Sequence, residues 1–390
     1  MRPKSSLLQL ALILLTLSTL PALAQPRPAR IISPEIAEDH KVTFRIQASK
    51  ATTVKVQGDW GSADLTKDDT GLWSATVGPL TPDYYSYTFS VDGVKTLDPL
   101  NPAIKQGLTS NDSMVFIKGE ESAFEDNAPV PHGQIRELWY NSKTLQTQRR
   151  IHVYTPPGYD DNTNRYPVLY LLHGAGDEDS GWSTCGRAGF IIDNLIAANK
   201  TKPMIIVMPN GSMPRPANMP VVAPGATPTP EAIAARNALQ DRFTNELMND
   251  IIPLVEKNFK VIADRDHRAI AGLSMGGGQT LRVITTHPDD FSYANVWSAG
   301  IGKDTADWEK RNEAFLNNAD KFNQTMKLFT ISIGEKDQGL AGAKSLSEIL
   351  TKHGIKNELH VSTGAHTWIN WRQYLNAILP RLVFAEDGKK

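Results

Sequence analysis

Apolar and polar residues alternate with a period of two from Ile31 to about Lys118. Segments 42–46, 53–57, 72–77, 84–91 and 113–117 each read as a short strand with one buried and one solvated face. Turn residues divide them, among them Gly58-Asp59, Asp69-Thr70-Gly71 and Asp92-Gly93. No helical period fits, so residues 30–118 predict a small all-β, immunoglobulin-like sandwich. A charged, proline-bearing stretch over 119–131 then reads as a linker. Beyond it the period changes. Apolar runs at 150–154, 168–172, 204–208, 269–271, 294–297, 328–333 and 358–361 alternate with helical patterns at 190–199, 243–258, 277–286, 342–353 and 369–379. Strands apolar on both faces, separated by helices, predict a mostly parallel sheet covered on both sides, an α/β domain over 132–390.

The first residues follow a third pattern. Arg2 and Lys4 precede the apolar run 7–20, and Ala22-Leu23-Ala24 ends it with small residues in alternation. That is the form of a cleavable signal peptide over 1–24, and its core is shorter than the ~18–20 apolar residues of a spanning helix. The expectation is a periplasmic or secreted protein with no stable membrane insertion.

Composition narrows the chemistry. Of 390 residues, 41 are basic and 42 acidic. A net charge of −1 supplies no basic stripe for phosphates, which argues against a nucleic-acid partner. Cys185 stands alone, so it closes no disulfide within the chain and is expected to be a non-catalytic thiol. The nine histidines are scattered away from ligand spacing, and no metal or other cofactor is expected.

The apolar run ending at Ala271 leads into Gly272-Leu273-Ser274-Met275-Gly276, then into a helical pattern. Glycines there permit a turn tight enough to project a serine hydroxyl above the sheet, the nucleophile position of an α/β-hydrolase. In that architecture the acid and then the histidine follow the serine. His287 and His353 stand at helix ends and His360 lies inside a strand. His366 sits in a loop past a strand end, where it can reach Ser274 as the base. Glu335 and Asp337 both follow the strand ending at 333, and Asp337 is favoured because Glu335 beside Lys336 suits a solvated loop. Acyl transfer also needs donors for a developing oxyanion. The N–H of Met275, next after the serine, and that of Ala175, in the His173-Gly174-Ala175-Gly176 loop, are the expected pair; His173 itself is expected to make a structural hydrogen bond.

These residues together resemble the esterase D-type branch of the α/β-hydrolases, in particular the carbohydrate esterases of family 1 that remove feruloyl or acetyl groups from xylan. The resemblance is carried by Val130-Pro131-His132-Gly133, Thr155-Pro156-Pro157-Gly158-Tyr159, Tyr166-Pro167-Val168 through His173-Gly174, Asp193-Asn194-Leu195-Ile196, Gly272 to Gly277 and His366-Thr367-Trp368-Ile369-Asn370-Trp371-Arg372. It implies Ser274, Asp337 and His366 as a catalytic triad and feruloylated or acetylated xylan, or its oligosaccharides, as the partner. The run from Asp92-Gly93 to Asp98-Pro99-Leu100-Asn101-Pro102 resembles early-set domains of the CBM48-like type.

Several expectations stay open. Trp182, Trp368 and Trp371 either line an aromatic acyl pocket, binding substrate, or pack in the core. Trp60, Trp73, Tyr84, Tyr85 and Tyr87 either stack on sugar rings or fill the sandwich. Residues 212–235, rich in Pro and Ala, form a lid over the site or a surface insertion without fixed structure. A siderophore trilactone esterase is the alternative enzyme, and a carbohydrate-binding protein on an inactive scaffold is the alternative of another class.

Overall fold

The computed structural model describes residues 30–384, apart from 110, 215–217, 224–225 and 228. The expected signal peptide lies outside the described residues. Among them, no helix is long and apolar enough to cross a membrane.

Residues 32–118 form two antiparallel sheets. One orders the strands Glu35–Ile36, Val42–Gln47, Leu72–Val77 and Thr66–Lys67. The other orders Gly61–Asp64, Val54–Gly58, Asp83–Val91, Asp112–Ile117 and Ile104–Lys105, with Val94–Thr96 paired to Asp83–Val91. The alternation works as the period implied. Val42, Phe44 and Ile46 face Val54, Val56, Tyr85, Tyr87 and Phe89 in one apolar core. Trp73, Tyr85 and Tyr87 are buried, and the Phe44 ring lies 4.6 Å from that of Tyr87 and 5.2 Å from that of Trp60. These aromatics pack on one another in the sandwich core, with Trp60 and Tyr84 half-buried.

The second part carries one sheet of eight strands: β1 (Gln134–Ser142), β2 (Thr147–Thr155), β3 (Val168–Leu172), β4 (Ile205–Pro209), β5 (Arg268–Leu273), β6 (Tyr293–Trp297), β7 (Leu328–Gly334) and β8 (Glu358–Ser362). Their spatial order is β1-β2-β4-β3-β5-β6-β7-β8. The β1-β2 hairpin pairs antiparallel to β4, and everything from β4 onward is parallel. Helices α1 (Ala188–Ala197), α2 (Pro230–Glu246), α3 (Ile252–Asn258), α4 (Met275–Thr286), α5 (Thr305–Arg311), α6 (Glu313–Leu316), α7 (Ala319–Thr325), α8 (Leu340–Lys352) and α9 (Trp368–Ile378) fill the connections. Two buried clusters flank the sheet, one under α3, α4 and α8, the other under α1 and α9. This is the α/β-hydrolase topology, so the loops after β3, β5 and β7 share one edge of the sheet.

The helical pattern at 243–258 is the end of a longer run. α2 starts at Pro230, where Thr229 accepts a hydrogen bond from the Ala232 N–H and proline occupies a first-turn position that needs no donor. A π turn at Leu247–Ile251 then precedes α3, whose Pro253 has no N–H to keep the ladder in α register. The last quarter of the Pro/Ala-rich segment is therefore helix. Its entry is anchored as well, since Arg149, held by buried Glu246, donates to the carbonyls of Asn210 (2.5 Å) and Ser212 (3.0 Å). Helices α5 to α7 escaped the sequence pattern because each spans two turns or less and buries one or two residues.

Residues 119–131 are not a free tether. Glu125, in the short 3₁₀ turn Ala123–Glu125, is fully buried and lies 2.6 Å from the Nε of Arg372, itself fully buried on α9. The same guanidinium binds the Asp83 carboxylate and donates to the carbonyls of Tyr84 (2.7 Å) and Cys185 (3.0 Å). One cation thus ties the sandwich, the connecting stretch and the α/β domain. Two carboxylates compete for it, and burial pushes the Glu125 carboxyl up to about 7 against the pull of Arg372, with Asp83 adding to the rise.

Removing the guanidinium in Arg372→Met leaves these acids buried without their cation and should cost about 3–5 kcal/mol, read by urea unfolding. Because the Glu125 value lies above its ordinary 4.5, its stabilisation is complete below about pH 4.5 and is lost as pH rises through about 7. Glu125→Gln should therefore flatten the fall in Tm over that window. An identical slope in wild type and variant would refute this role.

Candidate active site

β5 ends at Leu273 and α4 begins at Met275, which leaves Ser274 alone to reverse the chain. Its backbone sits at φ 52° and ψ −113°, a region side chains avoid, and its N–H is held by the Trp297 carbonyl at 2.8 Å. The turn closes only because its neighbours lack side chains. A Cβ on Gly272 would lie 2.4 Å from the Gly276 carbonyl oxygen, and one on Gly276 would lie 2.6 Å from that of His173.

The hydroxyl so presented meets His366, which in turn meets Asp337, each from another loop. His366 Nε2 lies 3.0 Å from Ser274 Oγ, and His366 Nδ1 lies 2.9 Å from Asp337 Oδ2. Asp337 is buried, and its other oxygen accepts from the Gly339 N–H at 2.8 Å. An acceptor-only carboxylate at Nδ1 puts the ring proton there and leaves Nε2 free to take the serine proton. The histidine side chain keeps 30% of its surface exposed, so the line opens to solvent only at its serine end.

The other candidates lie apart from this line. Glu335 is exposed, His353 pairs with Glu309 at 3.1 Å, His287 meets the Thr286 hydroxyl at the end of α4, and His360 packs its ring against Tyr374. The thiol of Cys185 is buried and burial pushes it up to about 12, which leaves it protonated and inert. Among the described residues, no group of His, Cys, Asp and Glu could hold a metal ion.

Met275 and Ala175, the expected oxyanion donors, lie on the turn after β5 and on the loop after β3, which share one edge of the sheet. Met275 opens α4, so its N–H has no carbonyl a turn earlier to bond. Ala175 is exposed at the tip of the loop after β3, between buried Gly174 and Gly176 at φ +86°. His173 is fully buried beneath it. Its Nδ1 donates to the Gly174 carbonyl at 2.8 Å and its Nε2 accepts from the Gly211 N–H at 2.8 Å, while Gln279 of α4 donates to the Gly211 carbonyl at 2.7 Å. Desolvation pushes this imidazole below its ordinary value and keeps it neutral, as a ring that both donates and accepts must be.

Trp182 and Trp368 are corrected as candidate substrate-binding residues. Trp182 is 1% exposed, donates to the Leu172 carbonyl and packs edge-on against Trp368 at 4.9 Å, while Trp368 is 6% exposed. Both belong to the buried cluster that α1 and α9 cover. Trp371 shares that cluster, setting its ring edge-to-face on His366 at 5.1 Å and donating to Ser298.

Pattern reading passed over the residue that shapes the His366 loop. Asn370, buried on α9, accepts from the Ala365 N–H and Thr367 hydroxyl at 3.1 Å and donates to the Thr363 carbonyl at 2.7 Å. Gly364, at φ +91°, leaves room for it: a Cβ there would lie 2.5 Å from the Asn370 amide oxygen. An asparagine one helical turn beyond a catalytic-loop histidine, following a glycine, was the available signal.

Comparison with known proteins agrees with this geometry. Residues 142–382, well over half of the chain, match the Esterase family, described as "Putative esterase". The chain belongs to that esterase family. A curated relative, the endo-1,4-beta-xylanase/feruloyl esterase of Xylanibacter ruminicola, is 29% identical over 358 residues, which cover 90% of this esterase and 46% of the relative. The esterase thus spans about half the length of that relative. The ferulic acid esterase of Anaeromyces mucronatus, solved in complex with ferulic acid, superposes with a TM-score of 0.53 at 26% identity, over 65% of this chain and 92% of that one. The enterobactin esterase of Shigella flexneri shares the fold over more of the length, 88% of this chain and 93% of that one, with a TM-score of 0.60 at 17% identity.

Asn370→Ala should remove the amide that shapes the His366 loop. A loss of about 1–3 kcal/mol in unfolding free energy is expected, from the backbone groups left unpaired, together with a fall in kcat on any ester substrate. Unchanged kcat at full occupancy of the folded state would show that the loop holds its shape without it.

Proposed function

We propose that the protein is a serine carboxylic-ester hydrolase that releases feruloyl groups from plant-wall xylan or its oligosaccharides. The observation that carries the reading is the unbroken hydrogen-bonded line from Ser274 Oγ through His366 to buried Asp337, set at the sheet edge of an esterase-family chain. His366 removes the serine proton, Ser274 attacks the ester carbonyl, and Asp337 orients the imidazolium that forms. The N–H groups of Met275 and Ala175 stabilise the oxyanion. The intermediate collapses with cleavage of the bond to the sugar oxygen, which takes the proton from His366 and leaves as a hydroxyl while the acyl group stays on Ser274. Water, activated by the same imidazole, then frees the carboxylic acid.

The feruloyl preference is supported by the xylanase/feruloyl esterase relative at 29% identity and by the ferulic acid esterase at 26%. Acetylated xylan is kept as a second substrate of the same chemistry. We read residues 30–118 as an early-set domain of the CBM48-like type and the leading segment as an export signal to the periplasm or beyond. A near-neutral net charge suits a neutral sugar ester, which needs no strong electrostatic steering.

Ser274→Ala should lower turnover by roughly 10⁶-fold, measured by ferulate release at fixed enzyme concentration; retention of more than a few per cent would exclude this nucleophile. Methyl ferulate, acetylated xylan and a catechol trilactone compared under one set of conditions decide the acyl group. Faster hydrolysis of the trilactone would replace the xylan reading with the siderophore one.

A further inference from the structure

The hairpin loop between the sandwich strands Ile104–Lys105 and Asp112–Ile117 reaches the loop after β3. Lys105 Nζ lies 2.8 Å from Asp177 Oδ1, with 15% of the lysine and 7% of the aspartate side chain exposed. Three residues on, the Leu108 N–H donates to the Gly176 carbonyl at 2.8 Å. Asp177 closes the turn that carries Ala175, its N–H reaching back to the Gly174 carbonyl. The same ammonium stands 5.9 Å from the ring centre of Trp368, two residues beyond His366. So one cation from the sandwich meets the turn that carries Ala175 and the first residue of α9, the helix that follows the His366 loop.

Ala175 is exposed, and Gly174 and Gly176 supply no side chains, so the direction of the Ala175 N–H depends on what grips the turn at its ends. His173 grips the near end from below. Lys105 and the Leu108 N–H grip the far end from above. An oxyanion donor works only if it is aimed before charge develops, and a misplacement of about 1 Å costs roughly 10²-fold.

We propose that Lys105 is a positioning residue for the oxyanion turn, so that the sandwich completes the active site rather than merely accompanying it. The inference rests on the reading of Ala175 as an oxyanion donor. Lys105 touches no reacting atom; it acts through Asp177, which it holds against the turn while leaning on Trp368. Binding of the ground-state ester should not depend on it, because the oxyanion exists only in the transition state.

The test uses the full chain. Lys105→Met and Lys105→Arg are compared with wild type on methyl ferulate, with active-site concentration fixed by titration with a fluorophosphonate. The control is Lys55→Met, which removes an exposed ion pair with Asp64 elsewhere on the sandwich. Lys105→Met should lower kcat about tenfold or more with KM within about twofold, and should weaken a boronic-acid oxyanion mimic to a similar degree. Lys105→Arg, which keeps a cation for Asp177, should recover much of the loss, and Lys55→Met should match wild type. If Lys105→Met lowers Tm while titrated sites turn over at the wild-type rate, the lysine is merely structural and the proposal fails. It fails equally if KM rises and kcat is kept. Ser274→Ala separates the two readings: activity surviving in that variant overturns the hydrolase reading, whereas a dead Ser274→Ala with a fully active Lys105→Met overturns only this one.

Discussion

The sharp reversal at Ser274 governs the design of the α/β domain. A residue at φ 52° persists only where its surroundings leave it no alternative, and here the surroundings are backbone. Gly272 stacks on the Gly276 carbonyl, Gly276 on the end of β3, and Gly277 on the carbonyl of Trp297, all at separations that exclude a Cβ. These contacts need β3, β5 and β6 to be adjacent and in register, which the parallel sheet provides. The serine hydroxyl is therefore aimed by the packing of three strands and a helix.

Around that point, the remaining groups are fixed by short polar networks. Asn370 shapes the loop of the histidine, Gly339 holds the second oxygen of Asp337, and neutral His173 joins the β3 and β4 loops through Gly211. Each network satisfies buried donors and acceptors that would otherwise carry a desolvation cost, so precision in the site and stability of the fold come from the same bonds. The tryptophans under the His366 loop supply its floor, which explains why residues that resemble a substrate pocket in sequence are packing residues in space.

Contacts between the sandwich and the α/β domain combine apolar packing, with Met114 in the cluster of Trp182 and Trp368 and Ile369 against the sandwich core, with buried charges. Arg372 is fully buried and meets Asp83, Glu125 and two carbonyls, and Lys105 meets Asp177 nearer the site. A buried cation with several acceptors tolerates few relative orientations of the segments that supply them, so the pair of arginine and lysine fixes register as well as proximity.

The two hydropathy periods, the strand-to-helix setting of Ser274 and the chain order of acid and base were legible in the sequence, because each is a local or ordinal property. The turn at Gly272–Gly276 marks Ser274 as the candidate nucleophile from five residues, and the loop positions of Asp337 and His366 follow from where apolar runs end. Other features were decided only in three dimensions. Whether Trp182 faces substrate or core depends on what stands across from it, and so does whether 119–131 swings free or is pinned through Glu125. Asn370 belongs to the same class, since its partners lie in a loop whose shape it makes. The helical start at Pro230 was written locally, in Thr229 and the proline, but the surrounding Pro/Ala composition hid it. Periodicity reports which face of an element is buried; only the tertiary structure reports what it is buried against, and buried polar groups such as Arg372 take their meaning entirely from that partner.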